Sequence, residues 1–144
     1  MPLTTTVEYH AHASHRIPIF TGPAAKCGNV HGHTFGLRWV FATDTADPEQ
    51  AEFGAINRVL RGWVDTFFDH GYVCGPDDEI GVYLTKLGMK VWWLPDWPTT
   101  ENITTCLAHN TIELLPDLEL LELTVQEGNS NAVTWRPEVC ERRA

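Results

Sequence analysis

Residues 31–43 constrain the fold of this chain more than any other stretch. His31, His33, Phe35, Leu37, Trp39 and Phe41 alternate with Thr34, Arg38 and Thr43. That two-residue period belongs to a strand with one buried face. The stripe is too long and too apolar to lie in water, so a sheet with a covered face is required. Two histidines open the stripe. Two residues apart, they share a face, with Cα atoms roughly 6.6 Å apart. Both imidazoles could therefore reach one metal ion at about 2.0–2.1 Å. Gly32 between them leaves the opposite face open, and Cys27 sits just upstream in a Gly/Asn turn.

Residues 4–15 read as a first strand. Val7, Tyr9, Ala11, Ala13 and His15 fall on one face, and Glu8, His10, His12 and Ser14 on the other. If the two strands pair antiparallel, His15 ends one where His31 and His33 begin the next. Parity thus selects His15 over His10 and His12 as the third imidazole; a bulge would overturn that choice.

A helical middle follows. Residues 47–68 read as a helix with Asp47 as cap, Pro48 in the first turn and Gln50 completing a capping box. Phe53, Ile56, Leu60, Trp63, Val64 and Phe67 form its apolar stripe. Asp69-His70-Gly71 stops it, with Gly71 as the expected left-handed cap. Residues 77–87 suggest a short helix and Lys90–Leu94 a short strand. A second main helix runs from about Thr99 to Leu115, with Ile103, Leu107, Thr111 and Leu114 inward, and Pro116 ends it. Residues 118–127 form a strand with Leu121, Leu123, Val125 and Glu127 on one face. After the turn Gly128-Asn129-Ser130-Asn131, Ala132–Trp135 returns as another. The order ββ, helices, ββ predicts one α+β domain over residues 1–144, an antiparallel sheet with helices on one face.

Composition removes several function classes. A net charge of −9 argues against sequence-independent nucleic-acid binding. Arg16, Lys26 and Arg38 flank the His/Cys stretch and are candidates for a local basic patch, or else solvated surface charges. No run of eighteen apolar residues predicts a membrane span. The first residues lack the basic and apolar regions of a signal peptide, so the expected compartment is cytoplasmic. The four cysteines, at 27, 74, 106 and 140, form no C-x-x-C, which argues against a disulfide framework or a zinc knuckle.

Three histidine ligands would leave zinc an open position, the catalytic arrangement. The competing arrangement takes Cys27 as a fourth ligand in a structural site. If free, Cys27 could serve as base or nucleophile, its thiolate favoured by a nearby cation. Asp69 beside His70 could orient an imidazole and support its charged form, or be only a helix-terminal pair. Glu127 continues an apolar face, so it either emerges at the strand end or meets a specific partner; a carboxylate can accept paired hydrogen bonds from an amino-imino edge. Thr99-Thr100-Glu101 is a helix start that capping alone would explain.

Taken together, Ala13-Ser14-His15-Arg16, Cys27-x-x-x-His31-Gly32-His33, Asp69-His70, Pro98-Thr99-Thr100-Glu101-Asn102 and Glu127 resemble the 6-pyruvoyl-tetrahydropterin synthase family, which includes the 6-carboxy-tetrahydropterin synthases of queuosine biosynthesis. The resemblance implies the tunnelling fold: a four-stranded antiparallel sheet with two main helices, assembled as trimers or hexamers with active sites between subunits. It implies zinc on His15, His31 and His33. Cys27 would abstract a proton, with Asp69 and His70 completing the relay. Glu127 would anchor a pterin ring near Thr99, Thr100 and Glu101. The implied substrate is 7,8-dihydroneopterin triphosphate, converted to the 6-carboxy product with loss of triphosphate and acetaldehyde. Alternatives are the 6-pyruvoyl product, or a zinc-stabilised pterin-binding module without turnover. The compact spacing from Cys27 to His33 is more like the 6-carboxy branch. Two features depart from the family: Gly71 stands where a larger, basic residue is frequent, and segment 72–98 is longer than in compact members.

Overall fold

The computed structural model describes residues 3–43 and 52–138. The predicted capping box at Asp47, Pro48 and Gln50 lies outside them, as does Cys140. Strands β1 (Leu3–His15) and β2 (His31–Thr43) pair antiparallel along their whole length, with His15 opposite His31 and Ala13 opposite His33. Helix α1 (Phe53–Trp63) is followed by β3 (Tyr72–Cys74), α2 (Glu79–Lys86), β4 (Val91–Trp93), α3 (Thr100–Leu114), β5 (Leu120–Glu127) and β6 (Asn131–Trp135). The α+β architecture is as expected, but the sheet has six strands rather than four, in the order β4-β3-β1-β2-β5-β6. The antiparallel four are the predicted ones. β3 and β4 add in parallel at the end of β1 that carries Ser14 and His15. A buried strand of three residues, such as β3, offers too short a run for any period to show.

The odd-numbered face of the sheet is the core. Val7, Ala11, Phe35, Leu37, Trp39, Phe41, Leu123 and Val125 are buried with Ile56 and Leu60 of α1 and Ile103 and Leu107 of α3. The other face is polar, and Arg38 lies there between Glu8 and Glu122. Two local irregularities shift the predicted faces. At Val40/Phe41 a bulge pairs Phe41 with Leu120, so Leu120 is buried and Leu121 only partly.

At the end of α1 the chain widens into a π-helical turn, Val64–Phe68, closed by the Asp69 N–H donating to the Val64 carbonyl at 2.8 Å. The wider turn brings Phe68 into the core and leaves Phe67 exposed. It also moves the left-handed residue. His70, at φ 62°, takes the conformation expected of Gly71, whose φ is not positive. The helix begins on Glu52, whose carboxylate accepts from the Ala55 N–H at 3.1 Å. No helix of the described residues is long and apolar enough to cross a membrane.

Candidate active site

The β1–β2 register brings three imidazoles to one end of the sheet. One ligand atom from each of His15, His31 and His33 lies within 4.8 Å of the others. Two of the three rings are oriented from behind. His15 Nδ1–H donates to the Pro98 carbonyl at 2.8 Å, and His31 Nδ1–H to the Asn29 carbonyl at 2.7 Å. This assigns the tautomers, leaving an Nε2 lone pair free on each, as a metal ligand requires. His15 is 1% exposed, and its Nε2 is buried without a hydrogen-bond partner. Burial, chiefly, lowers its pKa to about 4 and outweighs the Pro98 hydrogen bond, with His31 and His33 adding repulsion. The ring is therefore neutral at pH 7. A buried, unpartnered lone pair aimed at two other imidazoles fits a metal ion. The Cys27 sulfur is not part of this cluster of ligand atoms.

The imidazoles line a cavity of about 980 Å³ together with Cys27, Lys26, Thr99, Thr100, Glu101 and Glu127. Glu127 does not emerge into solvent alone. Its Oε1 accepts from Thr100 Oγ1 at 3.0 Å and stands 3.6 and 3.5 Å from Nε2 of His15 and His33. Thr99 caps α3 by accepting from the Asn102 N–H at 3.2 Å, which leaves Thr100 free to meet Glu127 and Glu101 at the cavity wall. Cys27 is half-buried on the loop between β1 and β2 and lines the cavity. Burial raises the thiols of Cys74, to about 12, and of Cys106. Those two are held protonated and have no part in such chemistry.

Asp69 and His70 lie elsewhere. They sit on the β1 edge and do not line the cavity of Cys27. His70 lines a separate cleft of about 460 Å³ with His12, Ser14, Gly32, Thr34 and Gly71, and only His33 borders both. The pair is well formed. Asp69 Oδ2 accepts from His70 Nδ1–H at 2.6 Å, and Oδ1 from the His12 N–H at 2.8 Å. Burial alone would raise the Asp69 carboxyl, but the His12 N–H and His70 together hold it below its ordinary value. It is a charged carboxylate orienting an exposed imidazole, the arrangement of a general acid–base pair.

Residues 4–138 match the family model for 6-pyruvoyl tetrahydropterin synthase. The chain belongs to that family. Over 119 residues it is 35% identical to a 6-carboxy-5,6,7,8-tetrahydropterin synthase of Rickettsia bellii, covering 80% of each chain. The enzyme of the same name from Rickettsia felis is 34% identical over 119 residues, again 80% of each. In fold, the chain is similar to an uncharacterized protein of Wolinella succinogenes (TM-score 0.77, 14% identity, 96% of this chain and 99% of that one). It is also similar to the 6-pyruvoyl tetrahydropterin synthase of Caenorhabditis elegans (TM-score 0.68, 18% identity, 96% and 97%).

Within this chain, the three cations flanking the His/Cys stretch separate. Arg16 is bound by Asp78, Nε to Oδ2 at 3.2 Å and a terminal nitrogen to Oδ1 at 3.4 Å. Arg38 is on the opposite face of the sheet. Lys26 alone of the three lines the cavity. Two residues with structural leverage were missed from sequence. Asp78 is 2% exposed and accepts from Arg16, Tyr72 and the N–H groups of Ile80 and Gly81. Its place ahead of a helical run signals the cap, but nothing signals the arginine. Lys90 reaches back to the turn before His70, and no local pattern marks it.

Proposed function

We propose that this protein is a zinc-dependent lyase that converts 7,8-dihydroneopterin triphosphate and water to 6-carboxy-5,6,7,8-tetrahydropterin, triphosphate and acetaldehyde. The observation that carries the reading is the unpartnered Nε2 of His15, converging with His31 and His33 in a cavity that also holds a cysteine and a carboxylate. The names of the Rickettsia relatives favour the 6-carboxy product.

His15, His31 and His33 would hold the zinc. When bound, it would polarise substrate side-chain hydroxyls and so acidify the adjoining C–H bonds. Cys27, on the cavity wall, takes the carbinol proton. Glu127 accepts hydrogen bonds from the amino and ring N–H of the pterin, with Thr100 fixing its carboxylate and Glu101 beside it. The Asp69–His70 pair returns the proton. Because the pair opens into a different cleft from Cys27, it serves the cavity of a neighbouring subunit. Two unpaired strand edges support such an assembly. β1 has a partner on its β3 side only at Ser14 and His15, and β6 pairs only with β5 among the described residues. Joining β6 of one chain to β1 of the next would close the sheets into a ring of three or, stacked, six chains. A cytoplasmic setting suits this soluble substrate.

The test is incubation of the zinc-loaded protein with 7,8-dihydroneopterin triphosphate and identification of the product by mass. The 6-carboxy product with acetaldehyde supports the reading. A 6-pyruvoyl product replaces it, and binding without turnover makes the protein a pterin-binding module. Chelation should abolish activity while the fold largely survives; loss of the fold would mark the zinc as structural.

A further inference from the structure

The pair Asp69–His70 is held in an unfavourable backbone conformation, and the side chain that holds it comes from the segment between the two main helices. His70 has φ 62°, the left-handed region that is unfavourable for an L-residue other than glycine. The peptide joining Asp69 to His70 is gripped at both of its polar groups. Its N–H donates to the His12 carbonyl of β1 at 2.6 Å. Its C=O accepts from Lys90 Nζ at 2.6 Å, and the same ammonium bonds the Asp65 carbonyl at 2.6 Å.

We infer that Lys90 is a positioning residue for the Asp69–His70 pair, locking from the β4 side the peptide plane that β1 locks from the other. This rests on the proposed role of that pair in proton transfer.

The attachment is specific. Lys90 makes no ion pair with Asp65 or Asp69 among the described contacts. Those carboxylates are engaged by Tyr9 Oη–H at 2.7 Å, and by His12 and His70. The ammonium instead binds the backbone carbonyls of Asp65, inside the π turn, and Asp69, just after it, where the helix terminus leaves carbonyls without intrahelical partners. Lys90 is itself placed by the sheet, since its carbonyl accepts from the Tyr72 N–H at 3.1 Å. Gly71 leaves room for the lysine stem. A Cβ there would stand 3.3 Å from Lys90 Cδ and 3.0 Å from the Phe68 carbonyl. Absence of a side chain at 71 and presence of a lysine at 90 thus form one device. It gives the middle segment a task at the site without touching substrate.

Three variants test this: Lys90→Met, Lys90→Arg and Gly71→Ala. Loss of the ammonium frees the peptide to rotate and lets His70 relax toward negative φ. For Lys90→Met the expected result is a kcat lower by roughly ten- to a hundredfold, with KM within about twofold of the parent and zinc content unchanged. Lys90→Arg should recover most of the loss. Gly71→Ala, which crowds the stem, should move kcat in the same direction. The three-bond coupling between the His70 amide and α protons reads φ without turnover, and should change in Lys90→Met but not in Lys90→Arg. An unchanged kcat, an unchanged coupling, or a loss confined to KM in folded Lys90→Met overturns the inference. If that variant does not fold, Gly71→Ala decides by the same readings. If the parent fails to turn over 7,8-dihydroneopterin triphosphate, the proposed function falls, and the coupling still decides whether Lys90 holds the turn.

Discussion

Replacing Asp78 by alanine should cost this protein about 3–4 kcal/mol, far more than its distance from the histidine cluster suggests. The carboxylate caps α2 through the N–H groups of Ile80 and Gly81, at 2.9 and 3.1 Å. Loss of a cap is worth about 1 kcal/mol. It also holds Arg16 and the Tyr72 hydroxyl, the latter at 3.0 Å. Removing one partner of a buried charge pair costs about 3–5 kcal/mol. Arg16 keeps 22% side-chain exposure and can recover some water, which places its share at the low end. Against a whole-domain stability of about 5–15 kcal/mol, this is a fall in melting temperature of about 10 °C.

Urea denaturation of Asp78→Ala, Arg16→Met and the double variant measures the coupling, which should be at least about 1 kcal/mol. The pH dependence has a definite sign. Burial alone would raise the Asp78 carboxyl, but the Gly81 N–H, Arg16 and Tyr72 outweigh it and hold it below its ordinary 3.8. The unfolded chain therefore protonates first as the pH falls. This stabilisation is complete above pH 3.8 and fades as the pH drops through the lower folded value. Asp78→Ala should show a shallower loss of stability in that acid range. Single variants costing under about 1 kcal/mol and adding without coupling would refute the reasoning.

Other perturbations separate metal, proton transfer and core. His15→Ala and His33→Ala should lose zinc by metal analysis, whereas Cys27→Ala should keep zinc and lose turnover; loss of zinc in Cys27→Ala would favour a four-ligand structural site. Mixed and reassembled, the inactive variants Cys27→Ala and His70→Ala should regain part of the parent kcat, because a neighbour's intact pair then serves an intact cavity; no recovery would mean that each chain supplies its own pair. Thr111→Val should cost about 1–3 kcal/mol in a denaturation curve, since the buried Trp39 Nε1–H donates to Thr111 Oγ1 at 3.0 Å and would lose its acceptor.

His15, His31 and His33 could be grouped from sequence because strand parity is a local property, repeated every two residues and readable in a dozen. The same parity put Glu127 on the apolar face of its own strand, and the second main helix followed from its apolar spacing and from Pro98 and Pro116 on either side. Local patterns were less faithful where the backbone departs from its period. The π turn exchanged Phe67 for Phe68, and the bulge exchanged Leu121 for Leu120. β3 was too short to show any period.

What the tertiary structure decided are meetings between distant residues. Glu127 rests against Thr100, Asp78 holds Arg16 across 62 residues, and Lys90 holds Asp69 across 21. The separation of Asp69–His70 from the cavity of Cys27 belongs to the same class. Such partnerships depend on which side chains the folded sheet brings within about 3 Å, and periodicity along the chain carries no information about that distance.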